Sequence, residues 1–261
     1  MTLAAVHHWI VVLDIEGFST RPNPVQRSLR QAMYEVLRDA LAEAGLPDGA
    51  VATEDRGDGV LVLVQPQVSP VLLAGALVRA LDDCLAEKAR IFNEAHALRL
   101  RVALHQGLVS GDADGWSGDA VNWTFRLVDA APLREVLARA GRANLAFIVS
   151  DEVYQAVVRH EYRTVDPAAY LPVGFEAKHG IPARGWITVP GYPAPPGLDG
   201  GSGPGTGLGP GPAAAPAAPA PAPGSGGAPT GGVVFHAGVV HGDQVAGDKN
   251  VHHAPNSPGR R

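Results

Sequence analysis

Disulfide chemistry is all but absent from this chain: one cysteine, Cys84, stands among 261 residues. A single thiol excludes an intrachain disulfide framework, and its position in a helix-like segment marks it as a core residue. Charge is sparse as well. Only 18% of residues are charged, and 26 acidic against 21 basic residues leave a net charge of −5. That balance excludes binding of nucleic acid through a broad basic face. Long apolar runs are missing: the longest, residues 71–81, is interrupted by Arg79 and is too short to span a bilayer. The first eight residues carry neither a basic nor a long apolar leader region. A cytoplasmic protein with no membrane partner is expected.

What is present divides into three parts. Residues 1–192 are long enough for one well-cored domain mixing helices and strands. Residues 193–231 mix Pro-Ala repeats with Gly-Ser pieces, the composition of a disordered spacer. Residues 232–261 form a short tail with an internal echo, Gly242-Asp243-Gln244-Val245 and then Gly247-Asp248-Lys249-Asn250-Val251.

Periodicity places the elements of the first part. Residues 9–13 read as a buried strand, short, β-branched and without alternation. Residues 23–44 read as a helix opening on Asn23 as cap with Pro24 behind it, with Leu29, Met33, Val36, Leu37 and Leu41 on one face. Residues 50–53 and 60–64 form a hairpin, residues 70–95 a long helix, and residues 98–104 an alternating strand. A loop is expected over 107–115. Helix follows over 119–142 with a break near Pro132, then a strand at 145–149. Ser150 caps a short helix to 158, and strands are expected at 174–177 and 185–189. The order β-α-β-β-α-β, with an added helix and strands, predicts an α+β fold on a ferredoxin-like core.

Two acids stand out on this plan. Asp14 closes the first strand, and Asp58 sits in the hairpin tip Arg56-Gly57-Asp58-Gly59. The plan brings both to one end of the sheet, where two hard oxygen ligands suit Mg²⁺ or Mn²⁺ and chemistry on a polyphosphate. Taken singly, Asp14 reads equally well as a turn former and Gly57-Asp58-Gly59 as an ordinary hairpin turn. A third element is Val121-Asn122-Trp123-Thr124-Phe125-Arg126, in which a helix places Asn122 and Arg126 on one face. His105 reads as a packing residue, and the His7-His8 and His252-His253 pairs lack metal-ligand spacing.

Together these motifs resemble the catalytic domain of class III adenylate and guanylate cyclases of the bacterial stand-alone type. The strand running into Asp14-Ile15-Glu16-Gly17-Phe18-Ser19, the Gly-Asp hairpin, Arg101-Val102-Ala103-Leu104-His105-Gln106-Gly107 and Val121-Asn122 to Arg126 occur in the family's order over about residues 7–190. The resemblance implies the following roles. Asp14, Asp58 and the Ile15 carbonyl would hold two divalent cations, Mg²⁺ or Mn²⁺. Gly17, Phe18 and Ser19 would bind the triphosphate through backbone N–H groups, with Lys178 as a further phosphate contact. Asn122 would orient the ribose, and Arg126 would neutralise charge on the α-phosphate. Glu54 and Gly115 occupy the base-reading positions; Glu54 favours GTP slightly over ATP, and Gly115 has no side chain to read with. Arg56 stands where an apolar residue is usual. The implied sites lie across a homodimer. The rival is a catalytically inactive domain of the same fold, serving as sensor or scaffold. A diguanylate cyclase or polymerase palm shares the strand order, but the Gly-Gly-Asp/Glu-Glu-Phe hairpin is absent.

The tail alternates apolar and polar residues around recurring Gly, as in segments that stack in register between chains, and it resembles tails of bacterial conflict-system proteins. Disorder and an oligomerisation strand are the other readings of it. Deletion of residues 232–261 is expected to leave nucleotide chemistry unchanged and to abolish higher-order assembly, as read by light scattering. Loss of the dimer in the truncated protein would place the tail within the domain.

Overall fold

Strand β1 (Val6–Ile15) runs through the middle of the sheet and is buried on both faces, which accounts for its unbroken apolar stretch. The computed structural model describes residues 5–47, 49–113, 115–177 and 180–198. Contacts divide the chain into Met1–Gly207 and Leu208–Arg261. Every described residue belongs to the first unit. The tail and most of the expected linker lie outside the described residues. Among these residues, no helix is long and apolar enough to cross a membrane.

After β1 come α1 (Asn23–Glu43), β2 (Val51–Asp55), β3 (Gly59–Val64), α2 (Leu77–Ile91) and β4 (Leu100–Asp112). Then follow β5 (Gly115–Ser117), α3 (Asp119–Val128), α4 (Ala131–Arg139), β6 (Leu145–Ser150), α5 (Asp151–Ala156), β7 (Leu171–Ala177) and β8 (Ile181–Thr188). The sheet order is β2-β3-β1-β4-β6-β8-β7, with β5 folded back onto β4. Strands β1 and β3, β1 and β4, and β2 and β3 pair antiparallel, while β4 and β6 pair parallel.

Alternation along β1 distributes its side chains between two cores. Trp9, Val11, Leu13 and Ile15 pack against α1 and α2 through Leu29, Met33, Leu81 and Leu85. Ile10 and Val12 pack on the opposite face against α3 and α4 through Val121, Leu127, Leu133 and Leu137. Asp14 belongs to this second set by parity, so its carboxylate emerges on the α3/α4 side of the sheet.

Several expected boundaries shift. β1 extends beyond residues 9–13 at both ends, and Asp14 is a paired member of it, opposite Gly59 on β3 and Arg101 on β4. The expected loop over 107–115 is mostly strand. β4 continues to Asp112 and turns back into β5, held by backbone pairing that runs as far as Val6 with Val109. Gln106, Gly107, Ser110 and Gly111 break the burial pattern there, so no side-chain period announces the strand. The long helix ends at Ile91, because Phe92 is extended and Asn93 caps a separate turn at Glu94–His96. α1 starts at Asn23 with Pro22 at its cap position, and no side chain caps it. Ser150 does cap α5, accepting a hydrogen bond from the Val153 N–H at 3.3 Å.

Gly59 sits at the tightest point of the β1–β3 pairing, where an added Cβ would run into the Leu13 carbonyl oxygen. Gly59→Ala is expected to destabilise the domain by about 1–3 kcal/mol, whereas Gly141→Ala, which faces open space, stays within about 0.5 kcal/mol. Urea midpoints at unchanged slope would separate the two.

Candidate active site

The pairing of β1 with β4 sets Asp14 directly opposite Arg101, both on the α3/α4 side. Arg101 donates from Nε to Asp14 Oδ2 at 2.9 Å and from Nη2 to the same oxygen. The two side chains are 18% (Asp14) and 12% (Arg101) exposed. Burial pushes the Asp14 carboxyl above the usual range, Arg101 pulls it back, and the nearby Asp58 and Asp129 carboxylates push it up again; the balance is upward. Asp58 arrives from the β2–β3 tip, where its carbonyl accepts the Ile15 N–H at 3.1 Å. Its carboxylate has no hydrogen bond or ion pair among the described residues.

Beyond Asp14 the chain turns through Gly17, held in the left-handed region at φ 65°, into a single turn at Phe18–Thr20. The Gly17 carbonyl accepts from Thr20 Oγ1 at 2.8 Å, and Gln26 Nε2 donates to the Phe18 and Arg21 carbonyls at 3.2 and 2.9 Å. Glu16 is fixed by Arg99 at 2.8 Å, and Arg99 also donates to the carbonyls of Leu137, Ala140 and Ala143 at the end of α4 and beyond. Phe18, Arg27, Arg30, Arg56 and Asp58 face an open cavity of about 630 Å³. Its wall is basic, and although Arg30 is paired with Asp55, Arg27 has no ion pair among the described residues. The site therefore joins an anionic edge to a cationic wall.

Asn122 and Arg126 lie one turn apart on α3 and open onto a different cavity of about 610 Å³, shared with His105, Trp123 and Glu152. Neither side chain has a hydrogen-bond or ion-pair partner among the described residues. His105 is buried at its edge, with Nδ1 2.9 Å from Ser150 Oγ, and burial lowers its pKa. Asp58 and the Asn122/Arg126 pair line different cavities of the chain.

Glu54 and Gly115, distant in sequence, are brought into contact. Glu54 Oε2 accepts the Trp116 N–H at 3.1 Å, and Oε1 pairs with Arg56 Nη2 at 3.0 Å. An added Cβ on Gly115, which has φ 132°, would lie 3.0 and 3.1 Å from those two oxygens. Gly115 thus has a role that sequence could not show: it makes room for the Glu54 carboxylate. Both oxygens of Glu54 are engaged within the chain. Lys178 lies outside the described residues.

No protein-family model matches this sequence, and no curated protein is similar to it. Solved structures do match. The chain superposes on the guanylyl cyclase Cya2 with a TM-score of 0.51 at 18% identity, covering 72% of this chain and 94% of that one. An adenylate/guanylate cyclase/hydrolase from Silicibacter pomeroyi follows at 0.49 and 20% identity, covering 72% and 98%. The guanylate cyclase domain of RhGC from Catenaria anguillulae gives 0.45 at 20% identity, covering 70% and 97%. The fold is that of the nucleotidyl cyclases.

On this cyclase fold, the residues that sequence reasoning left without a role are Arg101 and Arg56. Arg101 is the polar face of an alternating strand, and only the register of β1 against β4 makes it the partner of Asp14. Among the described residues, no group of three or more His, Cys, Asp or Glu side chains is placed to hold a metal ion. The Asp58 carboxylate acts on Asp14 electrostatically, and Arg101 engages one Asp14 oxygen.

Removal of Arg101 leaves Asp14 buried beside two other acids. Arg101→Met is expected to destabilise the domain by about 1–3 kcal/mol at neutral pH. The Asp14 carboxyl is already raised in the folded chain and rises further in the variant. Protonation then favours the native state, and part of the loss returns as pH falls through that raised value toward the ordinary carboxylate range. Urea unfolding at several pH values measures both effects.

Proposed function

We propose that the chain is a metal-dependent nucleotidyl cyclase converting a nucleoside triphosphate, GTP ahead of ATP, to a 3′,5′-cyclic nucleotide and pyrophosphate. The observation that carries this reading is the set of side chains left without partners. Asp58, Asn122 and Arg126 have none among the described residues, although each stands where the cyclase motifs need it. Asp58 and Asn122 are exposed and Arg126 is half-buried, so their polar ends are open to a ligand.

In this reading Asp14, Asp58 and the Ile15 carbonyl hold two divalent cations, Mg²⁺ or Mn²⁺, which supply acidity to the attacking hydroxyl and charge balance to the phosphates. The backbone N–H groups of Gly17, Phe18 and Ser19 receive the β- and γ-phosphates, with Lys178 as a further contact. The ribose 3′-oxygen forms a bond to the α-phosphorus while the bond to the α,β-bridging oxygen breaks. The hydroxyl proton passes to water, and pyrophosphate leaves with the bonding pair. Asn122 orients the ribose, and Arg126 meets charge that grows on the α-phosphate oxygens.

The separation of the two cavities supports a homodimer in which the aspartates of one copy face Asn122 and Arg126 of the other, giving two equivalent sites. We read strands β2-β3-β1-β4 with α1 and α2 as the ferredoxin-like core, the protein as cytoplasmic, and the tail as an assembly or recruitment segment. A second reading, a catalytically silent scaffold, is favoured by one observation: Arg101 already neutralises Asp14.

Full-length protein incubated with Mn²⁺ and ATP, GTP, CTP or UTP separately is expected to yield cyclic monophosphate and pyrophosphate, with GTP turned over ahead of ATP. Asp58→Ala and Arg126→Ala are each expected to cut turnover by about 10²-fold or more. Co-expression of the two variants is expected to restore about a quarter of the activity, since half the dimers then carry one intact site. Retained turnover in Asp58→Ala refutes the metal assignment, and failure of the mixture refutes the shared site. No product from a folded dimer with any nucleotide favours the scaffold.

A further inference from the structure

Gln26 binds backbone rather than another side chain, and it does so beside the proposed triphosphate contacts. Its Nε2 donates to the Phe18 carbonyl at 3.2 Å and to the Arg21 carbonyl at 2.9 Å. These two carbonyls bracket the single turn at Phe18–Thr20, one opening it and the other following it. Gln26 stands in the first turn of α1, where its own N–H donates to the Pro22 carbonyl at 3.0 Å. The same helix is seated in the core through Leu29 and Met33, so the amide is presented from a rigid element. The Gly17 carbonyl is held as well, by the Thr20 N–H at 3.3 Å and the Thr20 hydroxyl at 2.8 Å. Phe18, Gln26 and Asp58 line one cavity.

We propose that Gln26 is a positioning residue for the triphosphate, acting through the backbone of the turn; the inference rests on the cyclase reading. The argument is one of peptide geometry. A trans peptide is planar, so its N–H points opposite to the carbonyl of the residue before it. Holding the Phe18 carbonyl therefore sets the direction of the Ser19 N–H, and holding the Gly17 carbonyl sets that of the Phe18 N–H. A rotated peptide would turn a carbonyl oxygen toward the phosphates, which repels them where the N–H attracts them. The turn cannot fix its own planes. Three residues make few hydrogen bonds of their own, and Gly17 moves easily between left- and right-handed backbone. The restraint on Phe18 must come from outside the turn, and Gln26 supplies it. A primary amide suits the task, since one uncharged nitrogen carries two hydrogens for two acceptors. Donors aimed before the ligand arrives need no reorientation when it binds.

The test is displacement of a fluorescent probe, mant-GTP, from the full-length protein with Ca²⁺ in place of Mn²⁺ to hold back turnover. GTP, inorganic tripolyphosphate and GMP serve as competitors. Gln26→Met keeps the volume and removes both donors, and Gln26→Glu keeps the shape while setting a carboxylate against the two carbonyls. Gln26 is half-buried, and both variants are expected to fold, as read by far-UV circular dichroism. In each, GTP and tripolyphosphate are expected to bind about 10-fold more weakly, the size of one hydrogen bond to a charged group, while GMP stays within about 2-fold. Unchanged binding of GTP and tripolyphosphate, a loss confined to GTP, or an equal loss by GMP overturns the role of Gln26 while leaving the cyclase reading in place. A lowered urea midpoint with these affinities intact marks a purely structural tie and overturns it too. Amide exchange in the wild type needs no variant: exchange at the Ser19 N–H is expected to slow about 10-fold or more when GTP binds, and an unchanged rate overturns the inference. Failure of the wild type to bind mant-GTP overturns the cyclase reading and this inference with it.

Discussion

Strand β1 is clamped between β3 and β4, and that double pairing sets everything the site does. It places Asp14 opposite Gly59, and so next to Asp58, on one side, and opposite Arg101 on the other. A slip of one residue would turn Asp14 toward Leu29 and Met33 and drive Leu13 to the opposite face. Burying a side chain such as Leu13 or Ile10 stabilises by about 1.5–3 kcal/mol, and β1 carries such residues on both faces. The register is held by apolar packing, and the placement of the acids follows from it.

Charge at the sheet edge is arranged around that register. Asp58 and Asp129 both act on Asp14 electrostatically; Arg101 answers Asp14, Arg134 lies 3.5 Å from Asp129, and Asp58 has no ion pair among the described residues. Asp58 is thus left open at this edge and Arg27 on the cavity wall, where Arg30 and Arg56 are paired with Asp55 and Glu54.

Around Glu54 the charges are settled within the chain, against Arg56 and the Trp116 N–H, and Arg56 lies over the Phe125 ring. Phe125 stands on α3 between Asn122 and Arg126.

Much of this was legible in the residues. The buried run around Val11, the one-sided face of α1 and the Ser150 cap are local patterns, set by the period of burial or by a single hydrogen bond, and each appears as an element in the fold. The motif residues Asp14, Asp58, Asn122 and Arg126 were also visible, because their neighbours mark them. β5 and the far half of β4 were not, since backbone pairing holds them and their side chains carry no period. Nor were the partners of the charged groups. Asp14 and Arg101 are 87 residues apart, and Glu54 and Trp116 are 62 apart. The sequence by itself determined the helices, the strands and the identity of the acids, because burial and local hydrogen bonding act over a few residues. Only the tertiary structure decided which acids are neutralised and which are left open, because strand register and hairpin closure bring together residues that no local pattern connects.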